Sequence, residues 1–138
     1  MLNGSMTTVM SSDGAQAISG FGLFALLAMG HFVADFGLQS DRMAVEKCPG
    51  KDHTLPWPWW LLAHTGIHAF VVTWLTGVVW LGLAEWAIHA LIDYGKCRHR
   101  YGLGIDQLLH LACKVIWVLI LVNLAPVGSG GLLQAFPR

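Results

Sequence analysis

Four pairs of ionisable residues recur at a spacing of four: His31 with Asp35, His64 with His68, His89 with Asp93, and Asp106 with His110. Residues i and i+4 share one face of an α-helix, so each pair points in a single direction. Imidazole suits Zn, Fe, Cu and Ni, and carboxylate suits harder ions, so these eight residues form a mixed donor set for divalent metal. One ion with the remaining groups bonded behind its ligands is compatible with the set, as are two ions bridged by carboxylates about 3.5–4 Å apart. Such an ion lowers the pKa of water to about 7 and polarises a carbonyl or phosphoryl group, which is the chemistry of a hydrolase. Glu85 lies one turn from His89 on the same face and is a further candidate, as ligand or general base. His64 is the second candidate for moving protons.

The elements that must position these residues are long and apolar. Of 138 residues 55% are apolar and 12% charged, which excludes a disordered chain. Eight Lys plus Arg balance eight Asp plus Glu, so no nucleic-acid partner is expected. Four stretches, about 18–39, 57–76, 78–95 and 105–125, approach the roughly 20 residues that an α-helix needs to cross a bilayer. The middle two form one block that must turn near Thr76 and Gly77. Backbone polar groups must be satisfied internally in lipid, and the alternating pattern of a barrel is absent. The expected fold is therefore an all-α integral membrane four-helix bundle with short loops. Flexible tails are expected at 1–17 and 126–138, the first lacking the charged region of a signal peptide.

Basic residues predict the orientation. Arg42, Lys47 and Lys51 fall in the first loop and Lys96, Arg98 and Arg100 in the third, which places both loops in the cytoplasm and both termini outside. Trp57, Trp59 and Trp60 open the second helix at headgroup depth, and Pro56 and Pro58 fall where a first turn tolerates them. Because successive helices alternate, all four pairs then lie in the cytoplasmic half, in two tiers about 6 Å apart. His31, His68, His89 and His110 make the deep tier; Asp35, His64, Asp93 and Asp106 make the shallow one. Ionisable groups in hydrocarbon cost several kcal/mol each unless they face the bundle interior and find partners. Three Asp and Glu85 carry four negative charges, which two divalent cations would cancel. The plainer alternative is a hydrogen-bonded polar network that fixes helix register.

Residues outside the pairs have simpler readings. Cys48 and Cys97 fall in loops expected to be cytoplasmic and reduced, no disulfide framework is expected, and Cys113 reads as a small buried hydrophobe before a soft ligand. His53 and His99 sit among loop charges and read as solvated. Lys47, Lys96, Arg98 and Arg100 satisfy the orientation rule, with an anionic headgroup as a second reading. Gln39, Asp41 and Gln107 fall at the rim of the site, and Trp74, Trp86 and Trp117 read as packing.

The run His31-Phe32, Asp35-Phe36, Leu38-Gln39 and Asp41, followed by Met43-Ala44 and Lys47, resembles the opening motif of a small polytopic membrane family of bacteria and phages, domain of unknown function 3307. His64 with His68, then Glu85-Trp86, His89, Ile92-Asp93 and Lys96, then Asp106-Gln107 with His110, resemble its later blocks. The resemblance spans Gly30 to about Lys114. It implies the four-helix arrangement and the same polar residues, without naming a substrate. The functional expectation is a metal-binding protein of the bacterial inner membrane, multi-pass, holding one or two divalent ions, Zn or Fe first. It would act as a hydrolase at the cytoplasmic leaflet on a lipid-like or amphipathic small-molecule substrate, with membrane lipid as its other partner. A di-iron oxidoreductase is weakened by having one H-x-x-x-H pair and no H-x-x-H-H box, and three nearby carboxylates disfavour haem. A metal or proton transporter or sensor is disfavoured by the apolar periplasmic halves of the first, third and fourth helices.

Overall fold

The computed structural model describes residues 19–124, so the tails expected at 1–17 and 126–138 lie outside the described residues. Among the described residues every regular element is helical: α1 (Gly20–Phe32) running directly into a π-helical turn (Val33–Gly37), then α2 (Asp41–Glu46), α3 (Trp57–Thr76), α4 (Val79–Cys97) and α5 (Leu103–Leu124). Local chemistry marks the boundaries. Ser19 caps α1 by accepting from the Gly22 N–H at 3.0 Å, and Ser40 caps α2 by accepting from the Met43 N–H at 3.2 Å. Pro56 and Pro58 occupy the start of α3, where a missing N–H costs nothing. Gly77 ends α3 at φ 70°, the left-handed conformation that the expected turn requires.

The four long helices close a ring in which α1 packs on α3, α3 on α4, α4 on α5, and α5 back on α1. Neighbours run antiparallel: the start of α1 at Gly20 meets Val118 and Val122 late in α5, and Gly82 early in α4 meets Thr73 late in α3. The approach of α3 and α4 depends on Gly82. A Cβ there would lie 1.8 Å from Thr73 Oγ1 and 2.7 Å from the Ala69 carbonyl oxygen. Small residues at such crossings let helix backbones come close.

Each helix turns a buried stripe of four-residue spacing inward: Leu23, Leu27, His31 and Asp35; Val72, His68 and His64; Leu81, Glu85, His89 and Asp93; Val118, Lys114, His110 and Asp106. Read from one end of the bundle to the other, every stripe changes from apolar to ionisable. Leu23, Leu27, Val72, Leu81, Trp117, Val118 and Leu121 form one apolar core at the far end. Large apolar side chains cover the outside, among them Phe70 at 68% and Leu91 at 71% exposure.

Two stretches, Gly20–Gly37 and Leu103–Leu124, are long and apolar enough to cross a membrane. α3 and α4 fall where the other two spans are expected, but neither is among the stretches apolar enough to cross, and both carry buried ionisable groups on their inward faces. The loop between the first two long helices departs from expectation. It contains α2, which folds back beside α3 and carries Glu46 and Lys47 into buried positions.

Candidate metal centre

The π turn is the first local feature that shapes the site. It widens the helix at Asp35, so His31 and Asp35 do not keep the spacing of an ideal α-helix, and Asp35 swings toward α3. Its Oδ1 lies 3.2 Å from both His64 Nε2 and His68 Nε2, while His31 Nε2 stands 3.6 Å from its Oδ2. Residues at i and i+4 on regular helices supply the other three pairs.

The deep tier is a closed cluster of imidazoles. Ring centroids are separated by 3.8 Å for His68 and His89, 3.9 Å for His89 and His110, 4.9 Å for His31 and His110, and 5.0 Å for His31 and His68. His64 joins from the shallow side, its Nε2 3.3 Å from Asp93 Oδ2. His110 Nε2 lies 3.5 Å from Asp93 Oδ1 and 3.6 Å from Asp106 Oδ1. All eight residues expected to be ligands therefore meet at one end of the bundle interior, each no more than 9% exposed.

Three sets of donor atoms lie within 4.8 Å of one another and could hold a metal: Asp35, His64, His68 and His89; His31, His89 and His110; and Asp93, Asp106 and His110. Donors of a tetrahedral site with ligand bonds of 2.0–2.1 Å stand about 3.3 Å apart. The two 3.2 Å separations from Asp35 Oδ1 match that edge. Many of these atoms have no aligned hydrogen bond. Seven ring nitrogens, at least one on each of the five histidines, are buried without a hydrogen-bond partner, as are Asp35 Oδ1 and Asp106 Oδ1. An unsatisfied buried group costs about 1–3 kcal/mol, so a cluster of this kind calls for a further partner. A cation at the centre would satisfy the convergent lone pairs, so the residues present fit a metal ion.

Glu85 sits one turn deeper, 1% exposed, with its oxygens engaged. It pairs with His89 Nδ1 at 3.1 Å, accepts from Trp117 Nε1 at 2.6 Å, and pairs with Lys114 Nζ. This geometry suits a group that orients His89 better than a free base, since a carboxylate on one imidazole nitrogen turns the other toward a metal. Lys114 and Trp117 had no site role in the sequence reading, and Trp117 is more than packing. The available signal was that a lysine within the most apolar span needs an acid at its own depth, and Glu85 is there.

Lys47 and Lys96 correct a second expectation. Lys47 is 3% exposed and donates to Asp93 Oδ2 at 2.5 Å; Lys96 donates to Asp106 Oδ2 at 2.7 Å. Both are counter-ions of the cage, where orientation and headgroup roles were expected. The four carboxylates thus face three lysines, and the charge argument for two divalent ions no longer holds. Gln107 does more than line a rim: it donates to Asp35 Oδ2 at 2.7 Å and contacts His31 Nε2 at 3.2 Å. Gln39 keeps a buried Nε2 without a partner, and Asp41 is exposed in the first turn of α2.

Cys48 and Cys97, expected as separate reduced thiols, form a disulfide with Cα atoms 5.1 Å apart. The fold-back of α2 lays the first loop against the end of α4. Cys113 stays free and packs against the apolar core, outside the donor groups. Glu46, another residue without an expected role, fastens the first loop. It accepts from the Thr54 hydroxyl at 2.6 Å, the Thr54 and His53 N–H groups at 2.9 and 3.2 Å, and Trp60 Nε1 at 3.1 Å. These bonds, the Thr54 hydroxyl first, hold its carboxyl down from 4.5 to about 2. Trp60 is therefore tied to the loop, whereas Trp59 is 64% exposed. Trp86 Nε1 donates to the Leu62 carbonyl at 3.1 Å, and Trp74 faces outward.

No curated protein and no solved structure matches the chain. The family model described as protein of unknown function (DUF3307) matches residues 23–128, which covers the whole of the cage, and the chain belongs to that family.

Proposed function

We propose that this protein is a membrane-embedded metal protein, and that the metal serves hydrolysis of a lipid-like or amphipathic substrate at one leaflet. The observation that carries the reading is the convergence of buried, unpartnered imidazole nitrogens and carboxylate oxygens from all four long helices. A divalent ion supplies water of lowered pKa and polarisation of a scissile carbonyl or phosphoryl group. The protein supplies the rest. Asp35, His64, His68 and His89 present donors, with His31, Asp93, Asp106 and His110 completing the surroundings. Glu85 orients His89, and Gln107 holds Asp35; His64, in the shallow tier between Asp35 and Asp93, is the candidate for moving a proton.

The membrane reading extends to all four long helices. Outward faces of α3 and α4 carry Phe70, Trp74, Val79 and Leu91, each more than 60% exposed, while their inward faces carry the ionisable groups. Water-soluble monomers rarely expose apolar surface on this scale, and intramembrane charges characteristically face a bundle interior. The basic loops support an inner-membrane, multi-pass chain with the cage in the cytoplasmic half, whereas the Cys48–Cys97 disulfide in the same loops favours the oxidising side. The apolar core beyond Glu85 and Lys114 supports a closed site over a transport path.

The test is elemental analysis of detergent-purified protein beside His68→Ala and His89→Ala, with hydrolysis measured on ester and phosphodiester amphiphiles. Stoichiometric Zn with metal-dependent turnover is the expected result. Two Fe per chain would replace hydrolysis with redox chemistry, and a folded wild type without metal would return the cage to a polar network.

A further inference from the structure

The three donor groups differ in what already neutralises them. Asp93 Oδ2 carries Lys47 at 2.5 Å and Asp106 Oδ2 carries Lys96 at 2.7 Å. Asp35 has no lysine. Its Oδ2 accepts from the neutral amide of Gln107 at 2.7 Å, and its Oδ1, unpartnered, stands 3.2 Å from each of two imidazole nitrogens. His64, His68 and His89 are all at most 1% exposed, each with Nε2 unpartnered.

We propose that the cage takes a single divalent transition-metal ion, bound by Asp35, His64, His68 and His89, and that Lys47 and Lys96 stand in for a second cation at the Asp93, Asp106 and His110 group. The inference rests on the metal reading above and adds the number and place of the ion. Charge leads to the same result. Four carboxylates and three lysines leave one negative charge, which one divalent ion turns into a single positive charge and two ions into three. A low-dielectric interior penalises the larger imbalance. Donor chemistry agrees: three imidazoles and one carboxylate make a four-donor set of the borderline kind that Zn(II) and Co(II) accept. The four donors close a tetrahedral set, so water or substrate would enter as a fifth ligand, and the remaining positive charge suits a monoanion there.

The test is titration of metal-free, detergent-purified full chain with Co(II), read by calorimetry, by visible absorption and by metal content after desalting. Wild type is expected to take one equivalent with the strong absorption of a tetrahedral centre. Asp35→Asn is expected to lose it, Asp106→Asn to keep it, and Lys47→Met with Lys96→Met to take two, each variant first checked for helicity and a single elution peak. Two equivalents in wild type would overturn the single-ion proposal while leaving the metal reading intact. Loss in Asp106→Asn with retention in Asp35→Asn would move the ion to the other group and overturn its placement. One equivalent in the folded double-lysine variant would remove the stand-in role. No uptake by folded wild type would sink both readings. The wild-type stoichiometry needs no variant to fold.

Discussion

Replacing Lys114 with Met removes the deepest cation of the bundle and leaves Glu85 in place. Both residues are 1% exposed, so the carboxylate cannot gain water without local opening. Breaking a buried pair from one side costs about 3–5 kcal/mol, because the partner remains charged in a medium that does not solvate it. Glu85 keeps Trp117 Nε1 at 2.6 Å and His89 Nδ1 at 3.1 Å, which puts the expected loss near the lower figure, about 3 kcal/mol. For a chain of this size that corresponds to a fall in Tm of roughly 10–15 °C. Adding Glu85→Gln removes the stranded charge while retaining an acceptor for one donor, and is expected to restore about half of the loss. Thermal unfolding in detergent, followed by far-UV circular dichroism and by tryptophan fluorescence, measures both. A single variant melting within about 2 °C of wild type, or a double variant no better than the single one, would refute the account of Lys114 as the counter-charge of Glu85.

Three further outcomes follow from separate parts of the fold. Gly82→Ala drives a methyl group into Thr73 Oγ1 and the Ala69 carbonyl, and should cost about 1–3 kcal/mol in the same melt; adding Thr73→Ala should recover only part, because the carbonyl is backbone. A Gly82→Ala chain as stable as wild type would contradict the close crossing. Glu46 has its pKa lowered to about 2, so the fastening of the first loop is fully present above the ordinary value of 4.5 and is lost as pH falls through about 2. Hydrogen exchange at the Thr54 amide should follow that curve, and a midpoint at 4.5 would show that the four hydrogen bonds do not hold the ionised form. In a Cys113→Ser background, an impermeant maleimide applied to intact cells after an impermeant reductant should label neither Cys48 nor Cys97 if the basic loops face inward as proposed, and both if their disulfide marks the oxidising side. Labelling of the pair would reverse the orientation.

Much of the site was legible along the chain because it is written in helical spacing. Four pairs at i and i+4, one in each long apolar segment, have to share a level once those segments alternate in direction, and the side chains of His31, His68, His89 and His110 do lie together. The turn at Gly77 and the start of α3 at Pro56 were equally local, since a left-handed residue and a missing N–H announce themselves without tertiary context. Residues whose roles depend on partners distant in sequence were far less legible. Lys47 lies 46 residues from Asp93, a spacing with no periodicity to reveal it, and Lys114 lies 29 from Glu85, a pair signalled by common depth alone.

The sequence by itself determined which faces of the helices are polar and at what height, because side-chain direction along a helix follows from covalent geometry and the rise per residue. Only the tertiary structure decided how charge is shared at that height. Folding brought α2 back beside α3 and turned Lys47, Lys96 and Lys114 onto Asp93, Asp106 and Glu85, leaving Asp35 as the carboxylate without a lysine. Ion pairing in a low-dielectric interior depends on a few ångströms between atoms far apart in the chain, and that distance exists only once the helices have closed into their ring.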